Sequence, residues 1–141
     1  MRGFLIAALA SVAAPVAHAQ TADTYAGTWA FQTASYGDER VGAIMSGVAV
    51  ITPSAPNRYD IRLVAHERLV NRDTGETAFL TARQTCTGDS DGGQFTISCQ
   101  LAEPLEGYEP DNFVLQAGEA DQLVGVLNSQ ASPQVTFTRL R

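Results

Sequence analysis

Apolar and polar residues alternate in short runs from residue 24 onward, and this period of two constrains the fold more than any other feature. The runs are rich in Thr, Val, Ile, Phe and Tyr and are separated by Gly, Pro, Asn and Asp, which is typical of strands joined by turns. No segment beyond the first 19 residues shows a helical period. The pattern predicts an all-β fold, an antiparallel sandwich or an up-and-down barrel, with eight strands at residues 24–33, 44–51, 58–66, 77–86, 94–101, 112–116, 122–128 and 134–140.

The turn between the fourth and fifth predicted strands sets their register. Gly92-Gly93 suits a two-residue hairpin, because both central residues of such a turn need a positive φ. Placing Asp91 opposite Gln94 puts Cys86 opposite Cys99 in a non-hydrogen-bonded pair, whose Cα atoms about 4.5 Å apart are close enough to be bridged. We therefore expect a Cys86–Cys99 disulfide on the interior face of the sheet. Gln84 lies on the same face and needs a hydrogen-bond partner there.

The first 19 residues have the pattern of a secretory signal peptide. Arg2 precedes an apolar run from Phe4 to about Val16, and the run ends in the small residues Ala17 and Ala19. We expect cleavage to leave a single domain over residues 20–141 in the periplasm or outside the cell, where a disulfide is stable. No later segment approaches the roughly 20 apolar residues of a spanning helix, so we expect no membrane span.

The composition excludes several classes of function. Loss of Arg2 with the signal leaves eight arginines, no lysine and fifteen carboxylates, a net charge of -7 that disfavours nucleic acid. Two cysteines and His66 are too few for a metal site, so we expect neither a metal nor a cofactor. No acid–base pair or nucleophile is identifiable, and we do not expect an enzyme. The sequence leaves the oligomeric state open.

The predicted loops divide between two ends. In an up-and-down arrangement the links 34–43, 67–76, 102–111 and 129–133, which are mostly long and charged, share one end, the rim, while the turn-like links 52–57, 87–93 and 117–121 form the floor. Long loops usually carry function. We expect the acidic link 102–111 to be solvated, with Tyr108 as an exposed aromatic anchor for a partner.

Gly27-Thr28-Trp29 on the first predicted strand resembles the start of the lipocalins and related calycin barrels. In lipocalins the tryptophan closes the barrel floor, and an arginine near the end of the last strand packs across it. Arg139 matches that arginine. The resemblance implies an eight-stranded antiparallel up-and-down barrel in which Trp29 and Arg139 are structural; the alternative is that Trp29 is a core aromatic of another β fold.

Two functions from different classes fit this barrel. In the first, it binds a small, largely apolar molecule inside or at the rim. In the alternative, it is a protein-binding module, a periplasmic inhibitor or an envelope assembly factor, that acts through its rim loops. An internal cavity open at the rim favours the first, and a filled core favours the second. For the first function, the predicted lining residues are Phe31, Leu63, Leu80, Gln84, Leu101, Tyr108 and Phe113.

Overall fold

The computed structural model describes residues 23–141, so the predicted signal peptide lies outside the described residues. This part of the chain is all β, with nine strands. They are β1 (Gly27–Thr33), β2 (Tyr36–Gly37), β3 (Val41–Ala55), β4 (Arg58–Asn71), β5 (Thr77–Asp91), β6 (Gln94–Leu101), β7 (Phe113–Ala117), β8 (Gln122–Leu127) and β9 (Gln134–Arg139).

Eight of the strands close into an antiparallel barrel. Each strand from β3 to β9 pairs with the next, and β1 pairs with both β9 and β3, which closes the sheet. The two-residue β2 only extends the sheet beyond β3. The predicted fold class, an eight-stranded up-and-down barrel of the calycin kind, is therefore confirmed at the level of architecture.

The β5–β6 hairpin confirms the predicted register. Asp91 pairs with Gln94, and Cys86 pairs with Cys99 to form the disulfide, with Cα atoms 4.0 Å apart. Gly92 and Gly93 have φ values of 56° and 89°, the conformation that a two-residue hairpin turn demands. The turn residues alone thus fixed the pairing of two strands.

Three strands are longer than the alternation predicted. β3, β4 and β5 run past the barrel at the rim end, because β1 pairs with β3 only as far as Ser46 and β6 pairs with β5 only as far as Gln84. We call the projecting part, residues 41–45, 67–71 and 77–81, the overhang. Much of the expected third link is therefore strand, and the remaining turn is residues 72–76.

The barrel interior is packed with side chains. Along most strands of the barrel alternate residues are buried, and the largest fully buried ones include Trp29, Phe95, Phe113 and Phe137. A Cβ added to Gly47 would lie 2.5 Å from the Phe31 ring, so this ring already occupies the space beside that glycine. Small residues on the interior face therefore accommodate the aromatic rings.

The floor is closed by the segment before β1. The Tyr25 ring stacks on Phe95 with centroids 4.3 Å apart, and Tyr59 meets both rings edge-on. The Tyr59 hydroxyl donates to the carboxylate of Asp23, 3.0 Å away. Edge-on and offset rings pack favourably, so residues 23–26 act as a plug.

Trp29 and Arg139 complete the floor. They are paired across β1 and β9, and the guanidinium carbon lies 4.3 Å from the indole centroid. Arg139 also donates to the carbonyls of Ala26 and Thr24 and forms a 3.3 Å ion pair with Asp121 in the β7–β8 turn. This is the floor packing that the calycin resemblance implies.

Candidate functional site

A buried polar cluster lies at the rim end of the barrel, where residues 102–112 cross its mouth. The Gln84 amide donates to Oδ2 of Asp111 over 2.5 Å, and the Asp111 backbone N–H donates back to Gln84 Oε1 over 2.8 Å. The Tyr108 hydroxyl donates to the same carboxylate oxygen over 2.6 Å. Gln84 and Asp111 are only 3% and 5% exposed, so these bonds are shielded from water. Together they fasten the loop over the mouth.

A second tyrosine–carboxylate pair lies beside the first. The Tyr36 hydroxyl of β2 donates to Oε1 of Glu67 over 2.6 Å, and Tyr36 packs against the core. Glu67 is an interior-facing residue of β4 in the overhang, near enough to Asp111 for the two carboxylates to repel each other. The rim therefore gathers two carboxylates and two phenols.

Burial and mutual repulsion shift the ionisation of this cluster. Burial raises the pKa of Asp111, and the Glu67 charge adds to that rise; the hydrogen bonds from Tyr108 and Gln84 oppose it without cancelling it. Burial, followed by the neighbouring carboxylates, also raises the pKa of both Tyr36 and Tyr108. Both phenols remain protonated donors at neutral pH, which matches the bonds they make.

The structure corrects the sequence interpretation of the loop 102–112. Tyr108 is not an exposed anchor, because it is partly buried against the core and its hydroxyl is bonded to Asp111. Asp111 is not solvated, because its side chain supplies the partner that Gln84 requires on the interior face of β5. Asn112 fixes the loop from the other side by accepting from the backbone N–H of Cys99 over 2.9 Å.

The residues predicted to line a ligand site fall into two groups. Phe31, Leu63, Gln84 and Phe113 are buried, whereas Leu80, Leu101 and Tyr108 are partly exposed near the rim. The structure brings Phe31 against Phe113, with ring centroids 5.5 Å apart, and stacks it on Phe137 at 4.9 Å. The buried rings thus contact one another.

The overhang adds a cleft that the sequence interpretation missed. Val41, Leu69 and Ala78 occupy interior-facing positions of three adjacent strands and line a depression of about 520 Å³. Val41 is 39% exposed. No clear signal for it is present in the sequence, because Glu67 interrupts the alternation before Leu69. We call this depression, together with the loop 102–112 and the Tyr36–Glu67 pair, the rim cleft.

Among residues 23–141, no group of three or more His, Cys, Asp or Glu side chains is placed to hold a metal ion.

Across the same residues, no helix has the length and apolar character needed to cross a membrane.

Comparison with known proteins gave no relative from which to transfer a role. No protein-family model matches the chain, and no curated protein is significantly similar to it. The function is therefore inferred from the geometry of this barrel.

Proposed function

We propose that this chain is an exported protein-binding module, an inhibitor or an envelope assembly factor of the small-barrel type, and that it binds its partner in the rim cleft. It works without a catalytic group, a metal or a cofactor. The single observation that carries the proposal is the contrast between a mouth fastened shut and an apolar cleft left open above it.

The packed interior favours a protein partner over an enclosed small molecule. Leu63 and Phe113 are at most 1% exposed, and Phe31 lies between two other rings. The loop 102–112 crosses the mouth and is held by hydrogen bonds to Gln84. An apolar ligand would have to displace both the loop and the rings, which makes the first candidate function the less favoured one.

The chemistry of the cleft suggests the chemistry of its partner. Its wall exposes Val41, Leu69 and Ala78, and Glu76 contributes a carboxylate to the same depression. The loop beside it carries Glu103, Glu106 and Glu109, all exposed. A partner segment with an apolar residue flanked by arginine or lysine fits such a surface, because opposite charges guide the encounter and apolar contact holds the complex.

Descent from the lipocalins is also a proposal. It is supported by Gly27-Thr28-Trp29 at the start of β1 and by the stacking of Arg139 on Trp29. The closed eight-stranded barrel agrees with it. A binding site at the rim is compatible with descent from the lipocalins and also with a separate origin.

The test is native mass spectrometry of the protein recovered from its own compartment, with two matched variants. Val41→Asp puts a charge into the cleft, and Val50→Asp puts the same charge on the outward face of the same strand. The two variants are matched because Val41 is 39% exposed and Val50 is 43% exposed. We expect the wild type and Val50→Asp to retain a partner chain and Val41→Asp to retain at least tenfold less. Equal retention by the two variants contradicts the rim assignment, and a retained small molecule without a partner chain supports the ligand-binding alternative.

A further inference from the structure

The edge of β5 in the overhang lacks a neighbouring strand. β5 pairs with β4 from Thr77 onward, but its ladder with β6 ends at Gln84. Ala102 donates one more backbone hydrogen bond, to the Arg83 carbonyl over 2.8 Å, and the chain then leaves the sheet. Within residues 23–141 no strand pairs with the outer side of residues 77–81.

Alternate backbone groups point to this open side. The carbonyl of Glu76 accepts a hydrogen bond from the β4 side, whereas the carbonyl of Arg83 faces the β6 side. Because this direction alternates along a strand, the N–H and C=O groups of Thr77, Phe79 and Thr81 face the open side. All three residues are exposed. Unpaired groups in a row are a template for another strand.

The side chains of this edge are self-complementary. The segment Thr77-Ala78-Phe79-Leu80-Thr81 is nearly palindromic about its central phenylalanine. If two copies pair antiparallel about that residue, Phe79 lies opposite Phe79, and Thr77 lies opposite Thr81 in both directions. Aromatic pairs and threonine pairs are both favourable across strands. The three edge-facing residues then fall in hydrogen-bonded pairs, giving about six new backbone hydrogen bonds.

We propose that two copies of this chain pair through residues 77–81 of β5, forming a symmetric dimer with one continuous antiparallel sheet. Phe79, 73% exposed in the single chain, is covered by its counterpart. Charge agrees with this arrangement. No residue from 77 to 81 is charged, so two acidic copies meet without repulsion along the seam. The register also brings the turn holding Asp73 and Glu76 of one copy towards Arg83 of the other.

The first test is register-specific cross-linking of the full mature chain. Phe79→Cys places two thiols in a hydrogen-bonded pair with Cα atoms about 5.5 Å apart, within disulfide range. Thr81→Cys is the control, since the two copies of position 81 are separated by roughly 13 Å along the strands. We expect mild oxidation to link Phe79→Cys at least tenfold faster, with peptide mapping showing the Cys86–Cys99 bond intact. Equal rates for the two variants would overturn the proposed register.

The second test measures the association itself by sedimentation equilibrium. We expect Phe79→Asp to raise the dimer dissociation constant at least tenfold, because two charges then face each other across the seam. Val50→Asp, an outward change on β3 away from the edge, should leave it within about twofold. A wild type that stays monomeric up to about 1 mM, or a dimer insensitive to Phe79→Asp, overturns the proposal. If Phe79→Asp fails to fold, the cross-linking result decides.

Discussion

Each end of the barrel has an aspartate with a shifted pKa, the exposed Asp23 at the floor and the buried Asp111 at the rim, and the two shifts are opposite. At the floor, burial acts to raise the pKa of Asp23, but the N–H groups of Ala26 and Tyr25, the Tyr59 hydroxyl and the Arg139 charge outweigh it and lower that pKa. At the rim, burial dominates and raises the pKa of Asp111, and no cation among residues 23–141 compensates it. The surroundings of Asp23 thus stabilise its charged form, whereas those of Asp111 disfavour its charged form. Carboxyl groups whose pKa is raised by burial are common where proteins bind or react.

The largest expected effect tests whether the floor carries the stability of the fold. Trp29 is 1% exposed and supports both the plug and Arg139. Trp29→Ala should lower the free energy of unfolding by about 3 to 5 kcal/mol, the usual range for a buried aromatic. Urea titration followed by tyrosine fluorescence or circular dichroism measures it. A loss below 1 kcal/mol would mean that the floor is no more stabilising than the rim.

A smaller effect separates the contributions of Arg139. Arg139→Ala removes the cation over Trp29 and the bonds to the floor carbonyls, and should lower the free energy of unfolding by about 1 to 3 kcal/mol. Arg139→Lys keeps the charge but cannot reach both carbonyls, so it should fall between alanine and wild type. Partner retention in the rim cleft should be unchanged in both, since the residue lies at the other end. If retention falls as well, the two ends are coupled.

The smallest expected effect is on how stability varies with pH, because the two aspartates contribute to the free energy of unfolding with opposite pH dependence. Because the folded-state pKa of Asp111 is raised, its contribution to stability is full below the unfolded pKa of about 3.9 and is lost as the pH rises through the folded value. Each unit of that shift corresponds to about 1.4 kcal/mol. Asp111→Asn should therefore be least harmful at neutral pH, or even stabilising there, and most harmful near pH 3.

Asp23→Asn is the matched control for this pH test. The folded-state pKa of the Asp23 carboxyl is lowered, so its contribution to the stability of the fold is present above the unfolded pKa. That contribution is lost as the pH falls through the folded value. The Asn variant should therefore be most harmful at neutral pH. Chemical denaturation from pH 3 to pH 8 compares the two variants with wild type. Parallel pH profiles would contradict the contrast between floor and rim.

The contrast also explains which parts of the structure could be predicted from the sequence. The β5–β6 register followed from Gly92-Gly93 because a two-residue turn leaves the ladder no freedom. The strand ends in the overhang were missed because polar residues such as Glu67 and Asn71 occupy interior-facing positions of β4 there, which breaks the alternation. Gln84 was recognised as needing a partner, since it is a polar residue on an apolar face. The sequence did not identify Asp111 as this partner. Asp111 ends an acidic run that is typical of a solvated loop, and it lies 27 residues from Gln84 along the chain.

The pairing of β1 with β9 has a consequence for how the molecule is made. The floor of the barrel cannot be completed until residues 134–139 have been synthesised, because Trp29 needs Arg139 as its cross-strand neighbour. Until then β1 and β8 are open edges on a nascent chain. Closure between segments so far apart in sequence makes folding slow, so the time between the emergence of β1 and that of β9 is when the chain most needs protection from aggregation.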